Sequence, residues 1–253
     1  MIVSCLMPTY NKMPRHQWLV EEAIESYYRN AAELKVPAEL IVCNDSPSQV
    51  LTLADPRADV RIFNLDKRFA SLGAKLNWMT AQAAGTHLCR WDDDDINLPW
   101  GLRLRYETMQ REQLVYLCFS RFFATNGSKT SVGFGSFSQC MYLQTAAESI
   151  GGYGDSSFGE DQDIERKFRN KFGNKVCRRT PKPDTDTYFM YRWGTEGSDH
   201  LSGFGQSGNG WNRIGQRSVQ AGTYVLKPHW REDYVERCRV AMERHRAGSK
   251  EKT

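Results

Sequence analysis

His87-Leu88-Cys89-Arg90-Trp91-Asp92-Asp93-Asp94-Asp95-Ile96-Asn97-Leu98-Pro99 is the stretch that decides the reading of this chain. It opens as an apolar, strand-like run. It passes through four consecutive aspartates and leaves through a turn toward a helix. Four adjacent carboxylates repel one another. A folded protein tolerates them when a cation sits among them or when water screens them all. A strand before and a helix after put the cluster at a strand's carboxyl end, where open α/β sheets bind ligands. Two readings follow: a divalent-metal site at the mouth of a cleft, or a solvated acidic turn. The apolar strand leading directly into the acids favours the metal.

Strand and helix signals alternate on both sides of this stretch. Ile2 to Met7 is a short apolar run ended by Pro8. From Trp18 to Leu34 the apolar residues Ala23, Ile24, Tyr27, Tyr28 and Ala31 fall at helical spacing. Leu40 to Cys43 reads as a second strand, stopped by the turn Asn44-Asp45-Ser46-Pro47. Val60 to Phe63 reads as a third. Leu72, Leu76, Met79 and Ala83 share one face of a helix that Gly85 ends, and Leu98, Leu102, Tyr106 and Met109 mark another. This order predicts an α/β fold with a mostly parallel central sheet flanked by helices. The second half is more mixed: strands at Leu114–Phe123 and Gln139–Leu143, and a helix from Gly159-Glu160-Asp161 carrying Ile164, Phe168 and Phe172 on one face. Residues 194–215, rich in glycine, read as a mobile loop. Arg231 to Arg246 reads as a charged helix. The expected organisation is one domain over 1–225, with halves 1–112 and 113–225, and a C-terminal helical extension over 226–253.

With 253 residues, 40% hydrophobic and 25% charged, the chain can bury a sizeable core. A net charge of +4 neither demands nor excludes a polyanionic partner. None of the seven cysteines forms a C-x-x-C pair. Cys5, Cys43, Cys89 and Cys118 lie inside apolar runs, as core residues do in a reducing compartment. Residues 1–10 have no basic n-region and are too short for a signal peptide, and no run approaches eighteen apolar residues. The expectation is a cytoplasmic protein.

If the strand stays extended, Asp92 and Asp94 point to one face and can share a hard cation with a diphosphate. Mg²⁺ or Mn²⁺ suits such an all-oxygen site. Asp45 and the segment Pro8-Thr9-Tyr10-Asn11 end neighbouring strands at the same edge.

These residues are similar to those of the GT-A glycosyltransferases of the family-2 type, in the family's order over residues 2–170. The matching parts are Pro8-Thr9-Tyr10-Asn11, Asn44-Asp45-Ser46, Gly73-x-Lys75-x-Asn77 with Ala84-Gly85, Trp91 to Asp95, Ile150-Gly151-Gly152-Tyr153, and Gly159-Glu160-Asp161-Gln162-Asp163. Each is weak alone, and their order makes them strong. The resemblance implies a Rossmann-like, nucleotide-binding GT-A fold. It implies a donor site of Pro8, Thr9, Tyr10 and Asp45 around base and ribose, with Lys75, Asn77, Asp92 and Asp93 near the diphosphate. Asp45 in that role accepts from a uracil imide, which favours a UDP-sugar. Asp94 is implied as the direct metal ligand, with Asp92 as the other member of the D-x-D pair; the four-long acidic run leaves that register open by one residue. A late histidine, His200, is implied as a further metal or phosphate ligand, with His229 as its competitor. Asp161 is implied as general base, with Glu160 and Asp163 as rivals.

The physical case for Asp161 stands beside the resemblance. A carboxylate in a helix's first turn is kept ionised by the helix dipole and free N–H groups. An attacking sugar hydroxyl must lose its proton, and a metal offsets charge on the departing nucleoside diphosphate. A single displacement of this kind inverts the anomeric centre. Trp193 and Trp211 flank a loop that could close over donor and acceptor.

Two further patterns compete for attention. Gly203-x-Gly205-x-x-Gly208 matches the dinucleotide pattern but lacks the strand before it and the helix after it. Arg166, Lys167, Arg169, Lys171, Lys175, Arg178, Arg179 and Lys182 form a run without an acid. It reads as a solvated helix face or as a surface for an anionic acceptor. The expected function is metal-dependent, inverting transfer of a sugar from a nucleotide-sugar to an acceptor hydroxyl. The acceptor is a surface glycan, a lipid-linked glycan precursor, or a hydroxymethylated base in DNA. The alternatives are a nucleotidyltransferase that makes a nucleotide-sugar and a non-catalytic nucleotide-sugar or nucleic-acid binding module.

Overall fold

In chain order the elements are β1 (Val3–Thr9), α1 (Gln17–Glu33), β2 (Ala38–Asn44), β3 (Gln49–Leu53), β4 (Val60–Asn64), α2 (Leu72–Gln82), β5 (His87–Arg90), β6 (Ile96–Asn97), α3 (Gly101–Glu112), β7 (Tyr116–Phe119), β8 (Arg121–Asn126), β9 (Lys129–Phe134), β10 (Cys140–Leu143), α4 (Gln144–Ser149), α5 (Glu160–Phe172), β11 (Val176–Arg179), β12 (Phe189–Arg192), β13 (Gly222–Leu226) and α6 (Tyr234–Lys250). The computed structural model describes residues 2–126, 129–135, 139–192 and 217–250. His200, Trp193, Trp211, the glycine pattern at 203–208 and the whole of the loop expected at 194–215 lie outside the described residues.

The apolar runs of β1 and β2 are buried on both sides because their sheet is covered on both faces. Val3, Cys5 and Met7 of β1, with Leu40 and Val42 of β2, enter one apolar cluster; Leu6, Ile41 and Cys43 enter another. The period-2 alternation of a strand here separates two cores, as a helix-covered sheet requires. The residues of α1 and α3 fill the first cluster, and those of α2, α4 and α5 fill the second.

The main sheet has seven strands in the order β11-β7-β10-β5-β1-β2-β4. All neighbours run parallel except β10, which is antiparallel to both β5 and β7. The register sets the site. Thr9 pairs with Asn44, so β1 and β2 end together. Leu6 pairs with Arg90, so β5 ends three residues earlier along β1 and the acidic run starts beside Met7 to Thr9. Trp91 N–H donates to Leu6 O at 2.9 Å and closes that end of the ladder.

The strand expected over Leu114–Phe123 divides in two. Ser120 breaks it: β7 belongs to the main sheet, and β8 to a second sheet ordered β6-β12-β8-β9. The strands β3 and β11 and the short helix α4 carry too few apolar residues at regular spacing to be read locally. Strand β3 pairs with β13, and β11 with β7, from far along the chain. Helix α6 is not a bare solvated helix. Tyr234, Cys238, Ala241 and Met242 bury one side of it in the first cluster. No helix among the described residues is long and apolar enough to cross a membrane.

Candidate functional site

After β5 the chain turns at Asp93 and Asp94 rather than running on extended. The expectation that Asp92 and Asp94 share one face assumed an extended chain. The turn instead sends three of the four carboxylates to two basic side chains, Arg90 and Lys12, and the fourth to a backbone N–H. Asp92 Oδ1 accepts from Arg90 Nε at 2.8 Å, and its Oδ2 accepts from Gln139 Nε2 at 3.1 Å. Asp93 and Asp94 together hold the Lys12 ammonium, at 3.3 and 2.9 Å. Asp95 Oδ1 accepts from the Arg192 backbone N–H at 2.8 Å, while the Arg192 guanidinium reaches the Asp94 carbonyl and the buried Glu22 carboxylate. Burial is the main force raising the Asp93 and Asp95 carboxyls above the usual range. Neighbouring aspartates add to it, and Lys12 and Arg192 oppose it.

Asp45 lies just past β2 and is fully buried. Its carboxylate accepts from Lys75 Nζ at 2.6 Å and from Phe69 N–H at 3.0 Å. Lys75 Nζ also donates to Thr9 O at 2.7 Å, so one ammonium ties the ends of β1 and β2 to α2. Pro8 sits inside β1, and Tyr10 follows with the Arg68 guanidinium 4.2 Å above its ring. Asn77 is committed elsewhere. Its Nδ2 donates to Tyr153 O and its Oδ1 accepts from Tyr153 N–H, both at 2.9 Å. Gly152 sits at φ +65, and a Cβ there would meet Asn77 Oδ1 at 2.4 Å. Lys75 and Asn77 thus act on backbone and carboxylate partners within the fold.

The three candidate bases differ in what they touch. Glu160 Oε1 faces Arg90 Nη1 at 3.3 Å. Asp163 pairs with Arg166 and, at 3.3 Å, with Lys167. Asp161 makes no ion pair among the described residues. It is partly exposed, and its Oδ1 accepts from Gln162 N–H at 2.9 Å. Burial, then the Glu160 charge, raise the Asp161 carboxyl above the usual carboxylate range, against the pull of Arg90. Ile164 and Phe168 anchor α5 in the core, which holds this first turn in place. His229 sits in a segment packed on α1 and hydrogen-bonds to Lys227 O at 2.7 Å, next to Trp230.

Lys12, Arg90, Gln139, Glu22 and Arg192 were not singled out from the sequence. Two of them carried a signal: Arg90 and Arg192 each end an otherwise apolar strand, an unusual place for a cation unless an acid awaits it. Of the basic run after α5's first turn, Arg166, Lys167, Arg169, Arg178 and Arg179 pair with Asp163, Glu165 or Glu112.

Among the described residues, no three His, Cys, Asp or Glu side chains form a ready-made metal cage. The donor set still fits a hard divalent ion. Asp93 Oδ2 is buried without a hydrogen-bond partner, and Mg²⁺-type sites commonly use one or two carboxylates completed by substrate phosphate and water.

A mostly parallel sheet with a single antiparallel strand, acids beyond β5 and a carboxylate at the N-terminus of α5 match the layout of the GT-A fold. The chain belongs to glycosyl transferase family 2, whose family model matches residues 4–192. Among solved structures it is similar to S. aureus TarS 1–349, at 15% identity and TM-score 0.55 over 76% of this chain and 60% of that one. The same protein in complex with UDP aligns at 14% identity and TM-score 0.57, over 85% and 63%. The mannosyltransferase PcManGT from Pyrobaculum calidifontis, in complex with GDP-Man and Mn²⁺, aligns at 14% identity and TM-score 0.51, over 75% and 56%. The chain therefore spans about 56–63% of the length of these structures. No curated protein matches the chain in sequence.

Proposed function

We propose that this glycosyltransferase moves a sugar from a UDP-sugar to an acceptor hydroxyl by a single inverting displacement. The observation that carries the reading is the Arg90 side chain. It touches Asp92 of the acidic turn and Glu160 of α5 at once, so donor-side acids and the candidate base helix lie within one guanidinium's span. Thr9, Tyr10 and Asp45 form the base and ribose side of the donor pocket, with Lys75 orienting Asp45. Asp94 is the direct metal ligand, with Asp93 and Asp92 flanking it and His200 as a further candidate. Bound Mn²⁺ or Mg²⁺ would offset charge on the departing diphosphate. Asp161 takes the proton from the acceptor hydroxyl; Glu160 and Asp163 are held in ion pairs. The complexes of TarS with UDP and with UDP-GlcNAc support a UDP-sugar, and that of PcManGT with Mn²⁺ supports the metal.

The acceptor is a glycan or a lipid-linked glycan precursor in preference to DNA. Five cations of the basic run already face acids of their own fold, which leaves less positive surface for a polyanion. Seven free cysteines, six of them buried, suit a cytoplasmic setting.

The test is heat stability with UDP or GDP, with and without Mn²⁺, followed by transfer to glycan acceptors and assignment of the product anomer. Metal-dependent stabilisation by UDP and an inverted product are expected. No stabilisation by either nucleotide would sink the reading. Pyrophosphate release from UTP and a sugar phosphate would point to a nucleotidyltransferase instead.

A further inference from the structure

Lys12 is a long cationic side chain that the fold keeps only 7% exposed. Its backbone is pinned on both sides. Asn11 N–H donates to Ser46 Oγ at 2.7 Å, and His16 N–H donates to Lys12 O at 2.6 Å. The ammonium lies 2.9 Å from Asp94 Oδ2 and 3.3 Å from Asp93 Oδ1. Burial works against its charge, and the two carboxylates more than restore it. The space between Asp93 and Asp94 is therefore already served by a cation of the chain itself. An ammonium and a divalent ion cannot share that space without strong like-charge repulsion. A nucleoside diphosphate offers the ammonium another anionic partner on the same edge of the sheet.

We infer that Lys12 is the internal counter-ion of the acidic turn, competing with the divalent metal for Asp93 and Asp94 and yielding them when the donor diphosphate arrives. This rests on the metal and donor reading above. It makes Lys12 a positioning residue: it keeps the turn folded before the donor binds, and it makes metal binding depend on nucleotide.

The test is Mn²⁺ binding, followed by the electron paramagnetic resonance signal of free Mn²⁺, on the full chain with and without UDP. Nucleotide-free Lys12→Gln is expected to bind Mn²⁺ about tenfold or more tighter than wild type, because the competing charge is gone. Lys12→Arg keeps the charge and is expected to stay near wild type. UDP is expected to tighten Mn²⁺ binding strongly in wild type and weakly in Lys12→Gln. In EDTA, Lys12→Gln is expected to melt below wild type and to recover with Mn²⁺. Equal or weaker Mn²⁺ binding by Lys12→Gln, with UDP-dependent Mn²⁺ binding intact in wild type, overturns the inference alone. If wild type binds no Mn²⁺ even with UDP, the metal reading falls and the inference with it. Should Lys12→Gln fail to fold, Lys12→Gln/Asp93→Asn compared with Asp93→Asn alone makes the same comparison, the double variant binding tighter if the inference holds and no tighter if it fails.

Discussion

Arg90 and Glu160 meet at 3.3 Å, seventy residues apart in the chain, and both are buried. Arg90 ends β5 and Glu160 opens α5, so this contact holds the base helix against the acidic turn. It also engages Glu160 and leaves its neighbour Asp161 outside any ion pair among the described residues. Under the proposed reading, Asp161→Asn should lower kcat by about 10²–10⁴-fold while UDP still raises the melting temperature. Glu160→Gln should act mainly on stability, at a cost of about 1–3 kcal/mol, because the buried Arg90 loses one of its two carboxylate partners and keeps Asp92. Near-normal turnover in Asp161→Asn would move the base elsewhere.

The same pair sets a pH dependence. The Asp161 carboxyl is raised by burial first and by the Glu160 charge next. A raised carboxyl takes up its proton at a higher pH than usual, and a protonated carboxyl cannot act as base. Activity should therefore fall as pH drops through that raised value, on a limb above the ordinary aspartate range. Removing the Glu160 charge in Glu160→Gln should shift the limb to lower pH. A kcat/KM profile whose limb stays put in this variant would separate it from Asp161.

Lys75 and Asp45 form a salt bridge at 2.6 Å with side chains 2% and 0% exposed. Lys75→Met strands a buried carboxylate and should cost about 3–5 kcal/mol in denaturant unfolding. The double variant Lys75→Met/Asp45→Asn should regain part of that loss, because no bare charge remains. It should not regain UDP-dependent stabilisation. Full recovery of nucleotide binding would remove Asp45 from the donor site.

Gly73 is where α2 touches the loop before α5. A Cβ there would stand 1.9 Å from Gly154 O, and Gly73 N–H donates to Ser156 O at 2.9 Å. Gly73→Ala should cost about 1–3 kcal/mol through backbone displacement. Because the displaced loop leads into α5, kcat should fall as well. An alanine variant with unchanged melting temperature and kcat would show that the loop yields freely.

Local pattern carried much of the fold. Strands β1, β2, β4 and β5 and helices α1, α2, α3 and α5 are written in apolar spacing and turn residues, signals that need only near neighbours. So is the position of Asp161 in a helix's first turn. Where the pattern is weak the reading stopped short: Gln49–Leu53 and Val176–Arg179 become strands only through distant partners, and one apolar run around Ser120 serves two sheets.

The sequence by itself determined that four acids follow a buried strand at the ligand-binding edge of an α/β sheet. Tertiary structure decided what those acids hold. Lys12 reaches Asp94 across 82 residues, and Arg192 reaches Asp95 across 97. Such pairings depend on which strand ends the packing brings together, and the like charges of Asp92 to Asp95 are identical in sequence until folded neighbours of opposite sign divide them.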